Sequence, residues 1–182
     1  IRGGMELGRL LFSMREAEAI MSLVPPGAGV MWAGLDANIE RATSPGLAEY
    51  RIVHFATHGI LDDKYPNLSG ILLSRVDEQG RERNGLLRMH DIFNLNLPAE
   101  LVVLSACNTA LGKEVRGEGL ISLVRGFMYA GAARVVASLC AVDDESTAEL
   151  MKSFYGKMLK QGMSPAAALR AAQVEMNKHK RW

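Results

Sequence analysis

The feature that most constrains the fold is an apolar run, Leu101 to Leu104, that leads directly into Ser105-Ala106-Cys107. A short, continuous apolar run with β-branched residues in its middle is typical of a strand buried on both faces of a parallel sheet. Ligands of open α/β sheets bind beyond the carboxyl ends of such strands. The run therefore predicts a thiol, that of Cys107, at the carboxyl end of a buried strand.

A second segment, residues 51–59 (RIVHFATHG), has the same pattern and ends in His58-Gly59. A neighbouring imidazole lowers the pKa of a thiol and carries protons for it. In caspases the histidine precedes the nucleophilic cysteine by about 50 residues, and His58 and Cys107 have that order and spacing. We therefore expect the two strands to bring an imidazole and a thiol together.

Elsewhere along the chain, helical patterns alternate with short apolar runs. The patterns predict helices over 1–23, 36–43, 90–95, 120–130, 143–161 and 164–176, and strands over 29–32, 71–74 and 134–139. Strands that alternate with helices indicate an α/β fold with a mostly parallel sheet covered on both faces. Neither a linker nor a change of composition divides the chain, so we expect one domain over 1–182.

Composition excludes several classes of function. The 21 basic and 20 acidic residues leave a net charge of +1, which argues against nucleic acid or a membrane as the main partner. Two cysteines, Cys107 and Cys140, are too few for a disulfide framework and favour a reducing cytoplasm. The four histidines lack metal-ligand spacing, so we predict neither a metal nor another cofactor.

Several motifs agree with one known family in both content and order. Besides HFATHG and VVLSACNT they are SGILLS, GEGLISLVRGFMYAGA, RVVASL followed by VDDESTAELM, and KQGMSPAAALRAAQ. With these motifs nearly the whole chain resembles a CHAT domain, a branch of the caspase and separase group of cysteine peptidases. The resemblance implies a caspase-like, three-layer αβα sandwich.

Two features depart from the family pattern. Cys140 stands where the family usually carries a tryptophan, and we interpret it as a core or pocket-wall residue. Family members usually continue into an aromatic-rich strand, whereas this sequence stops at Trp182. We therefore interpret the chain as a fragment of a longer protein, without the final strand and the upstream helical repeats.

The resemblance implies a catalytic dyad in which Cys107 is the nucleophile and His58 donates a proton to the leaving amine. The alternative is that Cys107 is a small buried hydrophobic residue, the commonest role of an unpaired cysteine. Gly59 lets a substrate approach closely, and its backbone N–H, with that of Cys107, is the expected oxyanion donor. His54, His90 and His179 we interpret as structural or solvated residues.

Asp143 and Asp144 admit two interpretations. As first-turn acids they would cap a helix and complement its dipole. In separase, the corresponding turn supplies an acid that receives a basic side chain of the substrate, and by position Asp144 is the better candidate. The resemblance thus implies cleavage after Arg or Lys. Glu118 also admits two interpretations, and we favour a first-turn acid of a helix over a site residue.

The leading hypothesis is a cysteine endopeptidase that acts on protein or peptide substrates and is regulated by a repeat domain or an activating partner. The alternative is a catalytically silent, peptidase-like interaction module. A glutaminase or hydrolase with a nucleophile elbow is excluded, because such enzymes place glycines on both sides of the nucleophile and their histidine after it.

Overall fold

The computed structural model describes residues 10–62, 64–108, 118–138 and 143–178. These residues form two compact units. The first contains residue 10 and residues 34–138, and the second contains residues 11–33 and 143–178. Within the described ranges, none of the helices combines the length and apolar character that crossing a membrane requires.

The described strands of the first unit form one sheet, in the order β3-β2-β1-β4-β5. Their bounds are Ile52–Ile60 (β1), Gly70–Leu72 (β2), Leu86–Arg88 (β3), Leu101–Asn108 (β4) and Val135–Ala137 (β5). β4 is parallel to β1 and to β5, whereas β2 is antiparallel to β1 and to β3. All the strands except β2 therefore run in one direction. The predicted α/β class with a mostly parallel sheet is confirmed, and the fold is consistent with a caspase-like sandwich.

Helices of the first unit bury part of their apolar side chains against the sheet. The helices are Ile39–Ala42 (α2), Met89–Phe93 (α3) and Glu118–Tyr129 (α4), with single 3-10 turns at Gly34–Asp36, Pro45–Glu49 and Pro66–Leu68. On α4, Leu123 and Phe127 are almost fully buried. The ring of Phe127 packs on Phe55 of β1, with ring centroids 5.6 Å apart. The middle of α4 therefore helps to form the core beneath β1.

The second unit consists of the helices α1 (Ser13–Met21), α5 (Asp144–Gln161) and α6 (Pro165–Lys178). α5 packs on both of the others. It begins at the predicted cap, Asp143, and ends at Gly162, whose φ of +67° suits a residue without a side chain. Its inner face buries Phe154 and Tyr155, and burial raises the pKa of the Tyr155 hydroxyl.

Three sequence predictions differ from the structure. The strand predicted over 29–32 is wrong: the segment is irregular, and Val30 and Met31 are 45% and 40% exposed. The helix predicted over 1–23 begins only at Ser13 in the described part, with residues 1–9 outside it. β3 was not predicted, because three residues are too few to show the alternation that marks a strand.

Candidate active site

The two central strands bring the backbones of His58 and Cys107 together. In the parallel ladder of β1 and β4, His58 is the register partner of Cys107. Neighbouring strands of a sheet lie roughly 4.8 Å apart. The description covers the backbone of Cys107, and at that level the predicted juxtaposition of the two segments is present.

The pairing of the two apolar runs determines this register. The ladder begins at Ile52 opposite Leu101, and His58 and Cys107 lie equally far along their strands from that first pair. Val102 and Val103 point to opposite faces of the sheet and are both completely buried, so β4 is covered on both faces, as predicted for a central parallel strand. The sequence predicts a strand that ends near Leu104, but pairing with β1 continues to Asn108, so Cys107 lies within the strand.

The imidazole of His58 has one nitrogen that is not used in local structure. Nδ1 is buried and has no hydrogen-bond partner among the described residues. The preceding residue, Thr57, ties the strand to β2, because its hydroxyl donates to the carbonyl of Leu72. The backbone of β1 is thus held at this point while the ring keeps a nitrogen available, as a proton-transferring imidazole requires.

Ser105 is a polar residue near the site that the sequence analysis did not single out. It lies opposite Ala56 and two residues before Cys107, and it is 8% exposed. Its Oγ is buried and, within the described ranges, accepts and donates no hydrogen bond. The sequence could have indicated Ser105, because it is a hydroxyl that directly follows an apolar run, and a buried polar group normally has a hydrogen-bond partner or a function.

Gly59 lies inside β1 and does not begin a loop. It is the register partner of Ile71 on β2 and of Asn108 on β4. The predicted oxyanion donors, the backbone N–H groups of Gly59 and Cys107, therefore belong to adjacent strands and adjacent register positions. Their role toward a substrate remains a prediction.

Asp143 and Asp144 both make structural hydrogen bonds within the second unit. The Asp143 carboxylate accepts from the N–H and the hydroxyl of Ser146, at 2.9 and 3.0 Å, and these bonds lower its pKa. The capping role considered for Asp143 is confirmed. Oδ2 of Asp144 accepts from the N–H of Phe12 at 2.7 Å, a contact between distant parts of the chain that the sequence did not indicate. A role of either acid toward a substrate remains a prediction.

Of the remaining candidates, three lie among the described residues and two lie outside them. His54 lies half-buried in β1 opposite Val103, and His90 is exposed with its Nε2 3.0 Å from Asp91. Glu118 is the first residue of α4. Cys140 and His179 lie outside the described residues. Among the described side chains, no three His, Cys, Asp or Glu residues are grouped as metal ligands would be.

Comparison with known proteins identifies the family of the chain. The model of the CHAT domain matches residues 3–182. Tetratricopeptide repeat protein 28 of Homo sapiens is 37% identical over 84 residues, which are 46% of this chain and 3% of that protein. The Mus musculus protein of the same name is 36% identical over 87 residues, which are 48% of this chain and 4% of that protein. The chain thus spans a small fraction of the length of these curated relatives. Since the family match extends over essentially the whole chain, the chain belongs to the CHAT domain family, a caspase-like and peptidase-related family.

Proposed function

We propose that this domain is a cysteine endopeptidase in which Cys107 is the nucleophile and His58 transfers the proton. The observation that carries the proposal is the register of the two central strands, in which His58 is the partner of Cys107. The buried Nδ1 of His58 supports it, because this nitrogen has no hydrogen-bond partner among the described residues and is therefore available for proton transfer.

The reaction divides peptide hydrolysis into two steps. The Cys107 thiol gives its proton to His58, and the resulting thiolate attacks the carbonyl carbon of the scissile peptide bond. His58 then donates the proton to the leaving amine, the C–N bond breaks, and a thioester remains on Cys107. In the second step water adds to the thioester with His58 as base, which releases the carboxylic acid and restores the thiol.

We assign stabilisation of the tetrahedral oxyanion to the backbone N–H groups of Gly59 and Cys107. Gly59 follows the histidine, and its register partner is Asn108, the residue after the cysteine. One such donor typically contributes about 10²- to 10³-fold to kcat. The proposal therefore gives the backbone at this end of β1 and β4 a role nearly as large as that of the dyad.

The proposal also covers the cellular location and the partners of the enzyme. A reducing compartment would protect a catalytic thiol from oxidation, and we infer a cytoplasmic location, with neither nucleic acid nor membrane as the main partner. The partners are a protein or peptide substrate and a regulatory repeat domain or activating protein. The tetratricopeptide repeats named in both relatives support a repeat-domain context.

Thiol labelling distinguishes the enzyme from a silent interaction module. In the full-length protein, iodoacetamide should alkylate Cys107 well below pH 8.5, the pKa of a free thiol being about that value. The change His58→Ala should move labelling toward that pKa, because the Cys107 thiol then loses its proton acceptor. Peptide mapping by mass spectrometry separates Cys107 from Cys140. Equal labelling of Cys107 with and without His58 would contradict the enzyme and favour the module.

Asp144 is the proposed recognition residue for a basic side chain before the scissile bond, with Asp143 as the second candidate. We expect Asp144→Ala to reduce kcat/KM for substrates cleaved after Arg or Lys, because the opposite charge that would receive the guanidinium or ammonium is lost. Cleavage profiling with a peptide library provides the measurement.

A matched control separates recognition from helix capping. Asp143→Asn keeps an oxygen that can accept from Ser146, so α5 retains its cap while a carboxylate is lost next to Asp144. A loss confined to Asp144→Ala assigns recognition to Asp144. An unchanged preference for basic residues in both variants would refute the role of either acid.

A further inference from the structure

Ser69 is a polar residue with no exposed surface, at the start of β2. Its relative exposure is 0%, which is unusual for a serine. It lies directly after the 3-10 turn Pro66–Leu68 and directly before Gly70, the register partner of Ile60 on β1. A buried hydroxyl requires a partner, and the partners of Ser69 connect several segments around the site.

The Ser69 hydroxyl holds the chain that leaves β1. Its Oγ accepts a hydrogen bond of 3.0 Å from the N–H of Asp62, two residues beyond the end of β1. The Asp62 carboxylate in turn accepts from the N–H groups of Lys64 and Tyr65, at 3.0 and 2.8 Å. The Ser69 carbonyl accepts from the N–H of Met89 at the start of α3. One residue thus fixes the segment that follows His58 and Gly59.

The first turn of α4 packs against the same hydrogen bond. A Cβ on Gly119 would lie 2.9 Å from the Ser69 Oγ and 3.3 Å from the Asp62 backbone nitrogen, closer than neighbouring atoms normally approach. Glycine is therefore needed at this position for its lack of a side chain. After Cys107 and Asn108, α4 is the next described element of the chain.

We propose that Ser69 is a positioning residue of the peptidase site, holding the segment that follows His58 against the first turn of α4, in place to receive the substrate backbone. This inference rests on the proposed function. Neither dyad residue depends on Ser69 for its place, because both lie in the ladder of β1 and β4. What Ser69 holds is the backbone just beyond β1, at the end of the sheet where a bound peptide would lie in an open α/β fold.

Two kinetic measurements on the full-length protein separate this role from a merely structural one. In Ser69→Ala, Asp62 loses its acceptor, and we expect kcat for a cleaved peptide to fall by about 10- to 100-fold, since small misplacements of binding groups have such effects. The rate of Cys107 alkylation by iodoacetamide should stay within about twofold of wild type, because this small reagent needs only the dyad. Both are measured at a temperature where circular dichroism shows the variant folded.

Gly119→Ala tests the same contact from the other side and keeps the hydroxyl. Its Cβ should displace Ser69 and lower kcat in the same way, and in the double variant with Ser69→Ala its effect should be smaller than in wild type. The control is Gly156→Ala on α5, where a Cβ meets nothing within 4 Å and kcat should not change.

The outcomes distinguish the two proposals. Suppose that the wild-type protein is active, that folded Ser69→Ala has the wild-type kcat, and that the effects in the double variant are independent. This result overturns the role of Ser69 and leaves the peptidase proposal in place. A fall in alkylation as large as the fall in kcat also overturns it, because Ser69 would then act on the dyad. A full-length protein that cleaves no peptide overturns the peptidase and, with it, the role of Ser69.

Discussion

Replacing His58 with alanine is expected to lower kcat for peptide cleavage by about 10²- to 10⁴-fold, the usual contribution of a positioned proton-transfer group. The variant loses the group that, in the proposed mechanism, takes the thiol proton and later gives it to the leaving amine. Cys107→Ala should leave no cleavage above background, because the thioester cannot form. The measurement is the steady-state rate of cleavage of a peptide selected by profiling with the full-length protein.

The matched control for this prediction is His90→Ala. His90 is an exposed histidine on α3 and belongs to the same unit as His58. Its replacement should leave kcat/KM unchanged. A Cys107→Ala protein that still cleaves at the wild-type rate would disprove the assignment of the nucleophile. His58→Ala with a wild-type kcat would disprove the dyad while leaving the thiol in place.

Phe127→Ala is expected to destabilise the first unit by about 3–5 kcal/mol, the usual cost of removing a large buried aromatic side chain. Phe127 has no exposed surface, and its ring packs on Phe55, which lies three residues before His58 on β1. The variant loses both the buried apolar area and a ring contact, and a cavity remains beneath the strand. Amide hydrogen exchange of β1 and β4, followed by mass spectrometry in the full-length protein, measures the free energy of opening.

Met128→Ala is the control, because Met128 is the next residue of α4 and is 53% exposed. A surface substitution of this kind normally changes stability by no more than about 0.5 kcal/mol. Protection of β1 and β4 should therefore fall steeply in Phe127→Ala and remain near wild type in Met128→Ala. Similar protection in the two variants would show that the packing of α4 on β1 contributes little.

The strands that carry the proposed dyad could be predicted because their apolar runs are unambiguous. Residues 101–104 and 51–57 contain enough β-branched and aromatic residues to indicate buried strands. The order and spacing of His58 and Cys107 then predicted their juxtaposition, and the ladder pairs these positions. The ends of α5 could also be predicted from the residues that cap helices. Asp143 is the N-cap and Gly162 the C-cap, as the sequence predicts.

Contacts between distant segments could not be predicted in this way. The bond from Phe12 to Asp144 joins residues 132 positions apart, and no local pattern distinguishes that acid from an ordinary first-turn carboxylate. The sequence showed Ser69 only as the first residue of the SGILLS motif. Its hydroxyl is buried because the fold brings Asp62 and Gly119 next to it, which no local pattern indicates. The wrongly predicted strand over 29–32 shows the converse: an apolar run without a partner strand stays irregular.

The ladder of β1 and β4 limits how such an enzyme can be switched on and off. Because His58 and Cys107 are register partners in one main-chain ladder, the sheet itself sets the separation of their backbones. An activator that brought His58 and Cys107 together would have to break the hydrogen bonds between β1 and β4. If the domain is the proposed peptidase, we therefore expect an activator to control the access of the polypeptide substrate to the site.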